Sequence, residues 1–227
     1  MGGANLSYAS ENGVLFNKGQ TTLLQYPCGN VSATYAVPNG VTTIGNNAFA
    51  ACATLVNITI PDSVTNIGAG AFEDCGLTSV VIPDSVTHFG DSAFAYCLSL
   101  TSVTIPHGLA SLGNGAFEGC GLTTVAIPDS VTNIGDSAFN DCFSLSAIKV
   151  DGANLFYSDL DGVLFDKERT TLLQYPNGHA STSYVIPPGV LNVGSEAFAD
   201  CANLINVTIA DSVANVEDSA RSQAAPV

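Results

Sequence analysis

Cations are what this chain has least of. Its 227 residues include five Lys and Arg against twenty Asp and Glu, a formal net charge of −15, and neither Lys nor Arg occurs between Lys18 and Lys149. Phosphate contacts need basic side chains, so the charge pattern argues against nucleic-acid binding and against an anionic membrane surface. No transmembrane run is present, so no direct membrane insertion is expected. The N-terminus lacks the basic, apolar and small-residue succession of a secretory leader. The seven cysteines include no Cys-x-x-Cys pair, the spacing a zinc site would use.

Catalytic patterns are missing as well. His88, His107 and His179 stand in three different sequence contexts, and no Ser-His-Asp or Cys-His arrangement recurs. The Gly-x-Gly pairs at 68–70 and 113–115 lack the strand–turn–helix setting of a nucleotide site. The expectation is therefore a protein that is not an enzyme, with no catalytic residue, no cofactor and no metal.

What the chain does have is repetition. Segments 37–59, 60–81, 82–104, 105–126, 127–148 and 186–208 are variants of one unit of 22–23 residues. A period of that length marks a solenoid in which each unit adds one coil. Ala-Phe ends at Phe49, Phe72, Phe94, Phe117, Phe139 and Phe198, and a Cys follows three residues later at Cys52, Cys75, Cys97, Cys120, Cys142 and Cys201. Gly45, Gly68, Gly90, Gly113, Gly135 and Gly194 form another column, and Pro38, Pro61, Pro83, Pro106, Pro128 and Pro187 a third.

Within 60–81 the inward set reads as Ile60, Val64, Ile67, Ala71, Phe72, Cys75, Leu77 and Val80. Leu77–Ile82 reads as a strand that Pro83 ends, because proline has no N–H to donate. Val64–Ile67 is a shorter extended piece, and Gly68 suits a corner with positive φ. Gly-Asp-Ser-Ala-Phe at 90–94 and 135–139 reads as a capped helical turn. Burying one coil's side chains offsets less than the backbone entropy of ordering it. Stability must come from like residues lying on like residues in the next coil.

The pattern Cys-x-x-Leu-x-x-Ile-x-Ile-Pro-x-x-Val-x-x-Ile-Gly-x-x-Ala-Phe at 52–72 resembles the BspA-like (Treponema-type) leucine-rich repeat family. That resemblance implies an α/β fold: a right-handed leucine-rich-repeat solenoid with a parallel β-sheet on one face. Short helical turns and short strands form the other face. It also implies an extracellular or cell-surface location and a role in adhesion. The cysteine column takes the place of the Asn/Cys ladder residue of leucine-rich repeats, as a small packed group bonded to backbone. Uniform inward packing argues against bridges within it. Cys28, off the column and matched by Asn177, is the candidate for an exposed, reactive thiol.

A longer repeat is superimposed on the short one. Residues 5–30 return as 154–179, an offset of 149. Gly-Val-Leu-Phe and Thr-Thr-Leu-Leu-Gln-Tyr-Pro flank the polar turns Asn17–Gln20 and Asp166–Arg169, so each copy reads as an inserted β-hairpin module. Such a module is either a protruding contact surface or a wide coil that maintains stacking. The expected organisation is one continuous solenoid: a hairpin module at 1–36, five repeats at 37–148, a second module at 149–185 and a sixth repeat at 186–208. A degenerate cap at 209–221, with Arg221 in the Phe column, and a tail at 222–227 complete it. The chain starts inside the first module, since Gly3-Ala4-Asn5 matches Gly152-Ala153-Asn154, which suits a portion of a longer protein.

The acidic columns Asp62/Asp84/Asp129/Asp211 and Asp74/Asp141/Asp200 are broken by His107, Tyr96 and Gly119. They read as hydrated surface rather than a calcium ladder. Asn5, Asn30, Asn57 and Asn206 begin Asn-x-Ser/Thr triplets, but Asn57 and Asn206 sit in predicted strands, where a glycan would block the sheet.

The outward sheet positions are Asn57, Thr59, Ser79, Val81, Ser102, Thr104, Thr124, Ala126, Ala147, Lys149, Asn206 and Thr208. They form a small, hydroxyl-rich face and are the candidate ligand surface for a protein or glycan partner. Their strand propensity alone accounts for them equally well. Two further roles compete with adhesion: a structural spacer, and an accessory domain of a larger protein.

Overall fold

The computed structural model describes residues 5–30, 32–217 and 219–220. Arg221 and the 222–227 segment lie outside the described residues. The chain winds as a β-solenoid whose coils stack their identical columns. Phe49, Phe72, Phe94, Phe117 and Phe139 lie one above another with ring centroids 4.8–5.9 Å apart and interplanar angles of 2–15°. All five are fully buried, and the rest of the inward set read from 60–81 is buried too. Tyr26 and Tyr175 extend the stack at the two modules, 5.1 Å from Phe49 and 5.6 Å from Phe198.

Each coil contributes a strand to a long-strand side. Thr34–Ala36 pairs with Asn57–Thr59, Ser79–Val81 with Ser102–Thr104, Thr124–Ile127 with Ala147–Val150, and Ser183–Val185 with Asn206–Thr208, all parallel. The ladder is interrupted between Asn57–Thr59 and Ser79–Val81, and again between Ser102–Thr104 and Thr124–Ile127. Both interruptions precede a coil that is one residue shorter between Cys and Leu: Cys75-Gly76-Leu77 and Cys120-Gly121-Leu122. There the chain cuts the corner close to the longer loop below. A Cβ on Gly76 would lie 2.0 Å from the Ala53 carbonyl oxygen, and one on Gly121 2.4 Å from that of Leu98.

A second side carries two-residue strands. Thr43–Ile44, Asn66–Ile67 and His88–Phe89 pair in parallel and are continued by the first module, Tyr8–Glu11, Val14–Asn17 and Thr22–Gln25, as an antiparallel meander. The second module repeats this with Tyr157–Leu160, Val163–Asp166 and Thr171–Gln174 running on to Asn192–Val193 and Asn215–Val216. The modules are thus three strands, one more than a hairpin. The extra turns are Asn12-Gly13 and Asp161-Gly162, where both residues have positive φ, the pattern of a two-residue hairpin loop.

The third side corrects the α/β expectation. No helix is present among the described residues, and the Ala-Phe segments are successions of tight turns. Two residues per coil, four apart, adopt positive φ: Asn47 and Ala51, Gly70 and Asp74, Ser92 and Tyr96, Gly115 and Gly119, Ser137 and Asp141, Glu196 and Asp200. Bonds back to the residue three earlier, such as Ala48 N–H to Gly45 and Cys52 N–H to Phe49, alternate with bonds across coils. Asn47, Phe49 and Ala51 donate to the carbonyls of Ala69, Ala71 and Glu73 in the next coil. A helical turn would consume those N–H groups internally and leave the neighbouring coil without partners.

The glycine column also has a different cause from the one the sequence suggested. Gly68 does not have positive φ; it is small because the coils touch there. A Cβ on Gly113 would lie 2.6 Å from the carbonyl carbon and oxygen of Gly90.

Candidate functional site: the outward sheet face and its flanks

Alternation along each long strand decides what faces outward. Val80 and Val125 turn into the core, so Ser79, Val81, Thr124 and Ala126 must point away from it. Asn57, Thr59, Ser102, Thr104, Asn206 and Thr208 are likewise exposed, and Val81 is 73 % exposed. The pairing puts Ser79 level with Ser102, Val81 with Thr104, and Thr124 with Ala147.

The structure does not bring all the candidate residues together. The second module follows Ala147–Val150 directly, and the Ile148 N–H donates to the Gly162 carbonyl at its hairpin tip. Ala147–Val150 does not touch Ser183–Val185, so Asn206 and Thr208 belong to a separate two-strand patch. Lys149 is not a free cation on the face, because its Nζ lies 3.3 Å from Asp159 Oδ2 of the second module. The run from Asn57 to Thr124 is what remains as one surface.

The cysteine column is a ladder of thiols on carbonyls. The Cys75, Cys97, Cys120 and Cys142 sulfurs lie 2.9–3.1 Å from the carbonyl oxygens of Phe49, Phe72, Phe94 and Phe117, each in the coil before. Burial, with Cys97 next to it as a smaller cause, pushes the Cys75 thiol up to about 12, and burial does the same for Cys142. A hydrogen bond to Cys97, ahead of burial, raises Cys120. The Cys75, Cys120 and Cys142 thiols stay protonated and inert.

Cys28 and Cys52 depart from the expectation: they are joined in a disulfide, with Cα atoms 4.5 Å apart. Cys28 is therefore not an exposed thiol, and Cys52 is not a free rung of the ladder. In the second module Asn177 takes the place of Cys28 and donates Nδ2–H to the Ala199 carbonyl at 2.7 Å. The comparison of Cys28 with Asn177 was in the sequence, but the proximity of Cys28 to Cys52 is a property of the stacked module.

Among the described residues no group of three or more His, Cys, Asp or Glu is arranged to hold a metal ion. In the first acidic column Asp84 accepts the His107 N–H at 2.9 Å, and the His107 ring lies 3.4 Å from Asp129. His179 is 2.9 Å from the Tyr175 hydroxyl and His88 is 2.9 Å from that of Thr87. The three histidines therefore do not meet. In the second column, burial first and the neighbouring Asp200 carboxylate second raise Asp141. Among the described residues no helix is long and apolar enough to cross a membrane.

A model of the BspA type leucine rich repeat region matches six copies here, over residues 26–146 and 175–224. The chain belongs to the BspA-type leucine-rich repeat family. This BspA-type solenoid is also similar to solved structures. A leucine-rich repeat protein from Eubacterium ventriosum is 28 % identical over 95 % of the chain and 61 % of that protein, with a TM-score of 0.79. A leucine rich cell surface protein from Faecalibacterium prausnitzii is 29 % identical over 92 % of the chain and 63 % of that protein, with a TM-score of 0.67. The pneumococcal vaccine antigen PcpA, 20 % identical over 91 % of the chain and 60 % of that protein, shares the fold with a TM-score of 0.75. The chain thus spans about three fifths of each of these proteins. No curated protein matches the sequence. The family points to an interaction or surface-protein module, and its fold is generally non-enzymatic.

Proposed function

We propose that this solenoid is a non-enzymatic adhesion or interaction module of a bacterial surface or secreted protein, binding a protein or glycan ligand on its long-strand face. The observation that carries the reading is the exposure of Asn57, Thr59, Ser79, Val81, Ser102, Thr104 and Thr124 on four successive coils, with no acid among them. Each of these coils presents at least one small hydroxyl or amide group, so contacts that are weak singly add along the stack. Similarity to a protein named as a cell surface protein supports the location. The Cys28–Cys52 bridge supports it too, since such bonds persist in oxidising compartments.

Binding arrays of matrix proteins and glycans test the proposal. Ser79→Lys, Ser102→Lys and Thr124→Lys together should abolish any hit, because three ammonium groups would stand on the run from Asn57 to Thr124, which has none. The substituted positions are exposed, so circular dichroism should remain unchanged. Retained binding in the triple variant rules this face out. A spacer role is favoured by one specific feature: the face carries no large aromatic or Arg anchor of the kind that dominates tight interfaces. Silence across the arrays would support that second reading.

A further inference from the structure

Four successive coils hand their turn-side N–H groups to the next coil in the same way. The donors are Asn47, Phe49 and Ala51, then Gly70, Phe72 and Asp74, then Ser92, Phe94 and Tyr96, then Gly115, Phe117 and Gly119. The fifth coil breaks the series. The N–H groups of Ser137, Phe139 and Asp141 have no hydrogen-bond partner among the described residues. The cause is the second module. Its strand Thr171–Gln174 continues the two-residue-strand side, but the chain then passes through Tyr175-Pro176 without an Ala-Phe-x-x-Cys segment. One turn-side rung is missing between 127–148 and 186–208.

The gap is a cleft of about 510 Å³, lined by Ser137, Asn140, Gln174 and Glu196, with Asp136 and Glu217 also on its wall. Its hydrogen-bond polarity can be worked out from one end. The Glu196 carboxylate only accepts, and it takes the Ser137 Oγ–H at 2.7 Å and an Asn140 Nδ2–H at 2.6 Å. That orients the Asn140 amide, so its Oδ1 accepts from Gln174 Nε2 at 3.0 Å. Gln174 Oε1 is then left as an acceptor with no partner among the described residues, on a side chain only 8 % exposed. No Lys, Arg or His pairs with Asp136, Glu196 or Glu217 among the described residues.

We propose that this cleft is a docking site for an extended, Lys- or Arg-bearing peptide segment of a partner protein, which enters as the missing rung. The Ser137 N–H donates to a carbonyl of the peptide, and Gln174 Oε1 accepts from one of its N–H groups. A peptide backbone supplies both, alternating along an extended chain. The carboxylates of Asp136 and Glu217 take its basic side chains, which a chain with net charge −15 attracts over distance. The site is separate from the long-strand face and does not depend on that proposal.

The test is amide NMR titration of the full chain with an acetylated and amidated pentapeptide that alternates Lys and Gly. The Ser137 amide should shift and become protected from exchange. Asp136→Asn combined with Glu217→Gln should weaken binding about tenfold, the loss of two rim ion pairs. Ser79→Lys with Ser102→Lys and Thr124→Lys should leave this binding intact, which keeps the two proposals distinguishable. A Gly/Ser peptide of equal length and spermidine supply backbone alone and charge alone, and each should bind more weakly. Equal binding by either control, no response of the Ser137 amide at millimolar peptide, or full affinity in the Asp136/Glu217 variant would overturn the proposal.

Discussion

Single residues set the coil spacing. Gly113 sits with backbone of the preceding coil at 2.6–2.7 Å from where a Cβ would be, and main-chain atoms cannot rotate away. Gly113→Ala should therefore destabilise the protein by about 1–3 kcal/mol through overpacking. Gly194→Ala, in the same column but with its nearest atom at 3.2 Å, should cost clearly less. Equal melting temperatures for both variants would contradict the close-approach account. The importance of this column was legible in the sequence, but its reason was not. A recurrent Gly signals either positive φ or contact, and only the neighbouring coil distinguishes them. Asn47, Gly70, Asp74 and Gly119 are the residues that mark left-handed backbone, in columns that also hold Ala, Ser, Glu and Tyr and so carry no consistent turn signal.

At the scale of elements, the modules are the informative parts. The polar turns at Asn17–Gln20 and Asp166–Arg169 mark one hairpin of each module, whereas the only local sign of the first strand of each meander is the pair Asn12-Gly13 or Asp161-Gly162. The Gly-Asp-Ser-Ala-Phe segment at 90–94 looks like a capped helix start, yet lateral hydrogen bonding from Ser92 and Phe94 to the next coil prevails over local capping. The first module is fastened by the Cys28–Cys52 bridge, which closes a segment with a sequence separation of 24. Its removal by Cys28→Ser with Cys52→Ser should cost about 3 kcal/mol, mostly by freeing the unfolded chain. Thiol titration of denatured, unreduced protein should find five groups, and seven after reduction. Seven before reduction would mean that the bridge does not form.

At the scale of the whole molecule, the excess of acid brings carboxylates of neighbouring coils together around Asp141. Asp141 is raised above its ordinary value of 3.8 by burial, then by Asp200, with Glu118 and Glu196 adding to it. A carboxyl that holds its proton more tightly when folded favours the native state at low pH, and this contribution is lost as pH rises through the folded value. Asp141→Asn should accordingly raise the melting temperature near neutral pH, with the gain disappearing at and below the ordinary carboxylate range. A gain independent of pH would place the effect elsewhere. The sequence by itself determined the solenoid, its inward set and its family, because identical columns at a fixed period bury themselves in only one way, by stacking. Tertiary structure alone decided the turn-built third side, the bridge between Cys28 and Cys52, the division of the sheet face and the cleft at Gln174. Each of these depends on which groups of one coil find, or fail to find, a partner in a coil dozens of residues away, and no local pattern encodes that distance.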